Sequence, residues 1–315
     1  KNKIIYFRNT KNKKILLDLS KYYIDKYKPN LIISNSSGPD YGLDEAIINV
    51  GNKKNIMTFC IQSYWGDINK IFNSEPDIYF VIDKFAKKIT KMKTNKKINV
   101  IGSIRHENYS LLKLKKNSII FRRKYNLNSN NKIFSFFGQP TEFIEDYLES
   151  IQIFYNYINF NIKGVVLLYK IHPKENIYQI NQVIKYFINN KINYKIIKHE
   201  EIEKIFIHSL CSISIFSSTG YDCYQLKKYS SYFGALPIYL FFNKKLRNDF
   251  NKFTGLKTIP LSSINEALVV NSSSDFKKIS NLKKINSLRE KSWKSARKNV
   301  NFKLPSSSLL DMLII

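Results

Sequence analysis

The chain is poor in cysteine, acidic residues and long apolar runs. Its three cysteines in 315 residues, Cys60, Cys211 and Cys223, form no C-x-x-C pair. That excludes a disulfide framework and a structural zinc site, and makes a reducing compartment the default. No run approaches the roughly 18 apolar residues of a membrane span, and no signal peptide is visible. The chain opens on Lys1 rather than Met, so residues ahead of it are expected. The closing stretch Leu309–Ile315 is too short to span a bilayer and is expected to dock on the core. Several motifs are also missing: G-x-x-x-x-G-K-[ST], G-x-G-x-x-G, the G-x-S-x-G elbow, and the Asp-x-Asp that holds a metal on a diphosphate. His199, Glu200, Glu201 and His208 lack the spacing of a zinc helix, so no metal is implied.

Basic residues are abundant. Lys and Arg number 52 against 24 Asp and Glu, a net charge of +28. Such a surface attracts polyanions: nucleic acid, anionic lipid headgroups or a phosphorylated substrate. Lys, Asn, Ile and Tyr are enriched together, as a genome rich in A and T also produces. The charge is spread over the whole chain with no basic arm or repeat, which argues against a dedicated nucleic-acid module. A hydrophobic content of 43% and an aromatic content of 14% suffice for real cores.

Short apolar runs alternate with helical periodicity. Strands are expected at 4–7, 31–33, 55–61, 77–82 and 98–102, with helices at 15–27, 44–50 and 84–92 between them. Periodicity lapses over 110–131, apart from a short basic helix at 121–125. A second series follows, with strands at 132–137, 164–169, 194–197, 212–215, 230–233 and 237–242. Its helices are expected at 142–158, 177–189, 200–207 and 221–228, then a basic helical stretch from 280. Alternation of this kind builds a parallel sheet covered on both faces. The expectation is an α/β chain of two Rossmann-like domains facing a central cleft. Residues 1–117 form the acceptor-binding domain and 118–286 the nucleotide-binding domain. Residues 287–315 form a C-terminal helix that returns toward the first domain.

Two polar motifs end apolar runs about one βαβ unit apart. The first is Lys170-Ile171-His172-Pro173-Lys174-Glu175 and the second Phe216-Ser217-Ser218-Thr219-Gly220. Ligands of open α/β sheets bind outside the carboxyl ends of the strands. An imidazole stiffened by Pro173 and flanked by Lys170 and Lys174 suits a phosphate leaving group. The hydroxyls of Ser217, Ser218 and Thr219 cap a helix, and with its first amides they also suit an anion. Gly138 and Gln139 end the first strand of the second half, where backbone amides can meet a phosphate. In the first half, Asp40 and Asp44 lie on a Gly-rich loop where a base for an acceptor hydroxyl is expected. Acidic residues such as Asp44 and Glu45 also stabilise a helix's first turn. Gln62 and Trp65, on another strand-end loop, are candidates to hold a sugar ring, with a Trp packed into the fold as the favoured alternative.

At His172-Pro173 and Ser217-Ser218 the chain resembles the GT-B bacterial sialyltransferases. In that family, His-Pro and Ser-Ser motifs of the C-terminal domain bind CMP, and an acidic motif ending in Gly supplies the base. Here Asp44-Glu45 is followed by Ala46, and Asp40 by Tyr41-Gly42, so the base stays open between Asp40 and Asp44. CDP-glycerol and CDP-ribitol transferases and some Kdo transferases share a similar layout. The resemblance implies an inverting, metal-independent glycosyltransferase without a cofactor. Its donor would be a CMP-activated acidic sugar: sialic acid, another nonulosonate or Kdo. Its acceptor would be a glycan or glycolipid of a bacterial capsule or lipopolysaccharide, with Glu45, Gln62 and Trp65 on the substrate side. The expected location is cytoplasmic, with peripheral contact at the anionic inner face of the inner membrane. A CDP-polyol phosphotransferase is the alternative, and a nucleic-acid or anionic-membrane binding protein stands third.

Overall fold

In the computed structural model, residues 12–36, 42–66, 68–112, 118–229, 233–261, 266–298 and 304–313 are described. The chain divides into two compact units, residues 1–107 with 302–315, and residues 108–301. The expected strand at 4–7, Asp40, and residues 230–232 of another expected strand lie outside the described residues.

The first unit is built on four parallel strands, β1 (Leu31–Asn35), β2 (Met57–Ile61), β3 (Ile78–Val81) and β4 (Lys97–Val100), in that spatial order. Helix α1 (Lys13–Tyr27) starts where the Asn12 side chain accepts the amides of Lys14 and Ile15, which satisfies two of the orphan donors at the helix start. It buries Leu16, Ser20 and Ile24, one residue per turn along a single stripe. It ends at Lys28 in the left-handed region, just before Pro29. Helix α2 (Leu43–Lys53) links β1 to β2 and packs on α1. Helix α3 (Lys84–Lys91) is capped by Asp83, whose carboxylate accepts the Ala86 amide at 2.6 Å.

The second unit carries β5 (Lys132–Phe137), β6 (Val165–Lys170), β7 (Tyr194–Ile197), β8 (Cys211–Ser214), β9 (Leu236–Leu240) and β10 (Leu268–Val270), all parallel. Their spatial order is β10-β9-β8-β5-β6-β7, so the direction in which successive strands are added reverses between β5 and β8. That is the doubly wound order, and the crevice at the reversal is where such sheets bind ligands. Both faces are buried, which explains the continuous apolar runs. Phe134, Phe136, Val165, Leu167 and Tyr169 join one core cluster, while Ile133, Phe137, Val166 and Leu168 join the other. Alternate residues of each strand thus feed opposite layers. Helices α5 (Ile144–Asn161) and α6 (Ile177–Asn189) supply the first cluster. The second takes residues from α4 (Ser118–Lys124), α7 (Ile202–His208) and α8 (Thr219–Tyr229). Ser135 is buried among these side chains because its hydroxyl pairs with Ser209 at 2.5 Å, and Ser209 donates on to Ile205 O.

Two features depart from the sequence pattern. Helix α9 (Lys244–Thr254) and strand β10 were not anticipated. β10 has only three residues, too few to show alternation, and α9 is strongly polar. The stretch expected as one C-terminal helix over 287–315 is two helices in different units. α10 (Leu282–Lys298) packs on α8, where buried Lys227 donates to Ser292 at 2.8 Å. α11 (Pro305–Leu313) belongs to the first unit, where Leu309 joins Phe59, Phe80 and Ile101 in one cluster. The Ser306 amide, in the first turn of α11, donates to the Glu107 carboxylate. No helix among the described residues is long and apolar enough to cross a membrane.

Leu309→Ala removes a buried side chain from that cluster and is expected to cost about 2–4 kcal/mol. In urea denaturation followed by hydrogen exchange, the loss should fall on β2, β3 and β4 and spare β5 and β6.

Candidate functional site

Three loops leave the carboxyl ends of β5, β6 and β8, on either side of the switch in strand order. They carry Gly138-Gln139, His172-Pro173-Lys174 and Ser217-Ser218-Thr219, so the second unit brings these sequence-predicted residues to one end of one sheet.

A residue given no role by the sequence organises the first two loops. Glu175 is 8% exposed. Its carboxylate accepts the His172 amide at 2.6 Å, the Tyr169 hydroxyl at 2.5 Å and the Gln179 side-chain amide at 3.4 Å. The Gln179 amide also donates to Gln139 O at 2.8 Å, which ties the β6 loop to the β5 loop. Gly138 leaves the space for this arrangement. A Cβ there would stand 2.3 Å from Glu175 Oε2 and 2.8 Å from Tyr169 Oη. Burial raises the Glu175 pKa above the ordinary carboxylate range, opposed by the Tyr169 hydroxyl, the His172 amide and Lys170. Burial likewise raises the Tyr169 phenol, with the nearby Tyr147 and Glu175 adding to it. The signal for Glu175 lay in the sequence: a carboxylate three residues after a strand-end residue can reach back to that residue's amide.

His172 is half-buried, and its Nδ1 accepts the Lys174 amide at 3.0 Å. An Nδ1 lone pair used in this way puts the ring proton on Nε2. Burial lowers the His172 pKa, and the charges of Lys174 and Lys170 lower it further. The imidazole is therefore a neutral ring whose Nε2–H is the donor. Lys170 turns aside: its ammonium donates to Lys198 O at 2.8 Å and to Ile171 O at 3.4 Å, and burial lowers its pKa. Pro173 and Lys174 are exposed.

The third loop is held from the other side of the reversal. Gln139 is buried, and its Oε1 accepts the Phe216 amide at 3.2 Å. Ser217 Oγ accepts the Thr219 amide at 3.3 Å, a turn that leads straight into α8. Gly220 lets α8 start against the Tyr239 hydroxyl, from which a Cβ would be 2.2 Å away. Two buried polar atoms here have no partner among the described residues: Gln139 Nε2 and Thr219 Oγ1. Orphaned polar atoms are rare in folded proteins. Two of them on the loops that flank the switch in strand order mark a place for a polar ligand.

In the first unit, Asp44 lies in the first turn of α2, and its carboxylate accepts the Asn35 amide at 3.3 Å at the end of β1. Glu45 beside it is buried. Gln62, expected at a sugar, is 1% exposed, and its amide oxygen accepts the Thr90 hydroxyl at 3.0 Å. Its role in this structure is to brace the end of β2 against α3. The Trp65 indole donates to Asp83 at 2.9 Å, which places that ring on the cap of α3. No group of three His, Cys, Asp or Glu among the described residues is placed to hold a metal ion.

No family model matches the sequence, and no curated protein matches it. Solved structures do match the fold. The chain superposes on a co-structure of MnaA with UDP from S. aureus at a TM-score of 0.65, with 12% identity over 98% of this chain and 80% of that one. A glycosyltransferase from Rickettsia africae gives a TM-score of 0.61 and 16% identity, covering 98% of this chain and 83% of the other. UDP-GlcNAc 2-epimerase from Neisseria meningitidis, bound to UDP-GlcNAc, gives 0.60 and 12%, covering 98% and 84%. The fold is GT-B, with two parallel-sheet α/β units.

Glu175→Ala leaves the His172 amide without its acceptor and the Tyr169 hydroxyl with only Tyr147 to pair with, and is expected to cost about 2–4 kcal/mol in urea denaturation. Glu175→Gln keeps one acceptor oxygen and is expected to cost less. Because the folded pKa is raised, Glu175 favours the folded state most below pH 4.5 and loses that contribution as pH rises through the folded value. The stability of the wild type relative to Glu175→Gln should therefore increase as pH falls from 7 toward 4.

Proposed function

We propose that the chain is a glycosyltransferase that takes its sugar from a nucleotide donor, with the donor phosphate held by the loops after β5, β6 and β8. The observation that carries this reading is the locked His172 ring. Its Nδ1 is occupied by the loop's own backbone, which leaves a neutral Nε2–H for a ligand. It lies in the same sheet-end constellation as Ser217, Ser218 and the orphaned Gln139 Nε2 and Thr219 Oγ1.

Transfer breaks the bond between the anomeric carbon and the phosphate oxygen and forms one to the acceptor oxygen. Negative charge then grows on the departing phosphate. His172 Nε2–H and the Ser217 and Ser218 hydroxyls are donors suited to stabilise it. A neutral imidazole contributes a hydrogen bond without needing a proton from solvent. The acceptor hydroxyl must lose its proton as it attacks, and Asp44 or Asp40 is assigned that role, with inversion at the anomeric carbon. The positive surface favours anionic donors and acceptors and an anionic membrane face.

The His-Pro and Ser-Ser pair favours a CMP-linked acidic sugar, delivered to a bacterial surface glycan. A UDP-linked sugar is the second reading, because two of the matched structures hold UDP or UDP-GlcNAc.

Calorimetry with CMP, CDP, UDP, GDP and ADP separates these readings. CMP should bind the wild type selectively, and His172→Ala should weaken it about tenfold or more, the worth of one good hydrogen bond to a charged group. UDP selectivity with the same His172 dependence moves the donor to UDP-sugars, and CDP selectivity moves the chemistry to polyol-phosphate transfer. Binding of no nucleotide, or binding indifferent to His172, removes the donor-site assignment.

A further inference from the structure

The opposite edge of the same sheet carries a second set of cations. At the amino ends of β5 and β8, again across the switch in strand order, a cavity of about 200 Å³ is lined by Arg122, Lys132, His208, Ser209 and Arg289 among others. The lining contains no Asp or Glu. Arg122 comes from α4, Lys132 from the first residue of β5, and Arg289 from α10, so three separate elements converge their cations here.

The hydrogen bonds of these cations go to neutral groups. Arg122 donates to Asn128 O at 2.5 Å and to Asn131 O at 3.2 and 3.3 Å. Arg289 donates through Nε to Gly234 O at 2.7 Å and through Nη1 to Asn286 Oδ1 at 2.9 Å. Among the described residues, neither arginine nor Lys132 has a carboxylate within 4 Å, although elsewhere lysines pair with Asp and Glu. Carbonyls satisfy hydrogen-bond geometry but do not cancel charge. Partial burial sharpens the imbalance, and the Arg289 pKa is lowered by it. Clustered, partly buried cations require a counter-charge.

We propose that this cavity is an anion site for phosphate or a small phosphomonoester. The size limits the ligand. Pockets for drug-sized ligands run to roughly 300–1,000 Å³, so this one encloses only a smaller group. One water takes about 30 Å³, which leaves room for a phosphate with a short attached chain. Arginine forks and a lysine together match phosphate geometry. The Ser209 hydroxyl is already committed to Ser135 and Ile205, so the charge of the cations carries the recognition. This inference is independent of the donor site, which occupies the carboxyl edge.

The test is calorimetric titration with inorganic phosphate, and separately with glycerol 3-phosphate, in a low-salt buffer. His172→Ala protein is the background, so that the carboxyl-edge loops do not contribute. That background is expected to bind phosphate with one site. Adding Lys132→Glu, which places a carboxylate among the cations, should weaken binding about tenfold or more. It should also leave the thermal midpoint in phosphate-free buffer unchanged or higher, since it supplies the missing counter-charge. Lys132→Met, which breaks no hydrogen bond, is the second variant and should weaken binding with the fold intact. Tighter binding of glycerol 3-phosphate identifies a monoester ligand, and tighter binding of inorganic phosphate the free ion. The proposal is overturned if the His172→Ala protein binds neither anion, or if both Lys132 variants bind phosphate as tightly as their background.

Discussion

The carboxyl end of the sheet in the second unit depends on one buried carboxylate. Glu175 is placed under the ends of β5 and β6 and takes three donors: a backbone amide, a phenol and a side-chain amide. An isolated carboxylate in that position would be costly. Once its donors are in place, the His172 backbone, the Tyr169 ring and Gln179 have little freedom left. Gln179 passes the constraint to Gln139 O, and the Gln139 side chain passes it across the reversal to Phe216. Three loops from three strands are thereby held as one constellation by polar contacts, above a core that is almost wholly apolar. The arrangement also explains why the His172 ring is held neutral. A ring held by its own loop, desolvated and flanked by two lysines, has little tendency to take a second proton.

Much of this was legible in the sequence, and the reasons are specific. Strands buried on both faces appear as unbroken apolar runs, so β5, β6 and β8 were readable. The polar residues that follow each run mark the carboxyl ends of these strands, and the structure brings those ends together on one sheet. Helices α1 and α6 were readable from the helical spacing of their apolar residues. Glu175, Gln179 and the pairing of Gln139 with Phe216 were not readable as a unit. Gln139 and Phe216 lie 77 residues apart, and only the folded strand order makes them neighbours. Gln62 and Trp65 show the converse. Their loop position suggests a sugar, and in the fold the Gln62 amide also meets Thr90 in the last turn of α3 while the Trp65 indole meets Asp83 at its cap. The C-terminal stretch was misread as one helix because its boundary depends on which unit each half packs against.

Charge in this chain is distributed by depth. Exposed lysines account for most of the excess, and their ion pairs with Asp and Glu contribute little each. The cations that matter are those drawn inward. Lys227 is fully buried, with its pKa lowered to about 8 by burial, and it is hydrogen-bonded to Ser292, whose hydroxyl donates to Glu266 O. That chain of contacts fastens α10 to α8. α8 starts at the Ser217-Ser218-Thr219 loop, so the fastening of its far end also steadies the loop.

The contact between Gly220 and the Tyr239 hydroxyl has a historical consequence. Helix α8 starts where it does only because position 220 has no side chain and position 239 fills the space above it. Overpacking at such a point is paid for in shifted backbone, here at the loop that presents Ser217 and Ser218. The two positions can therefore drift only together: a larger residue at 220 requires a smaller one at 239, while a smaller residue at 239 alone would leave a void. Among descendants of this sequence, 220 and 239 should behave as one inherited character, nineteen residues apart in the chain and inseparable in the fold.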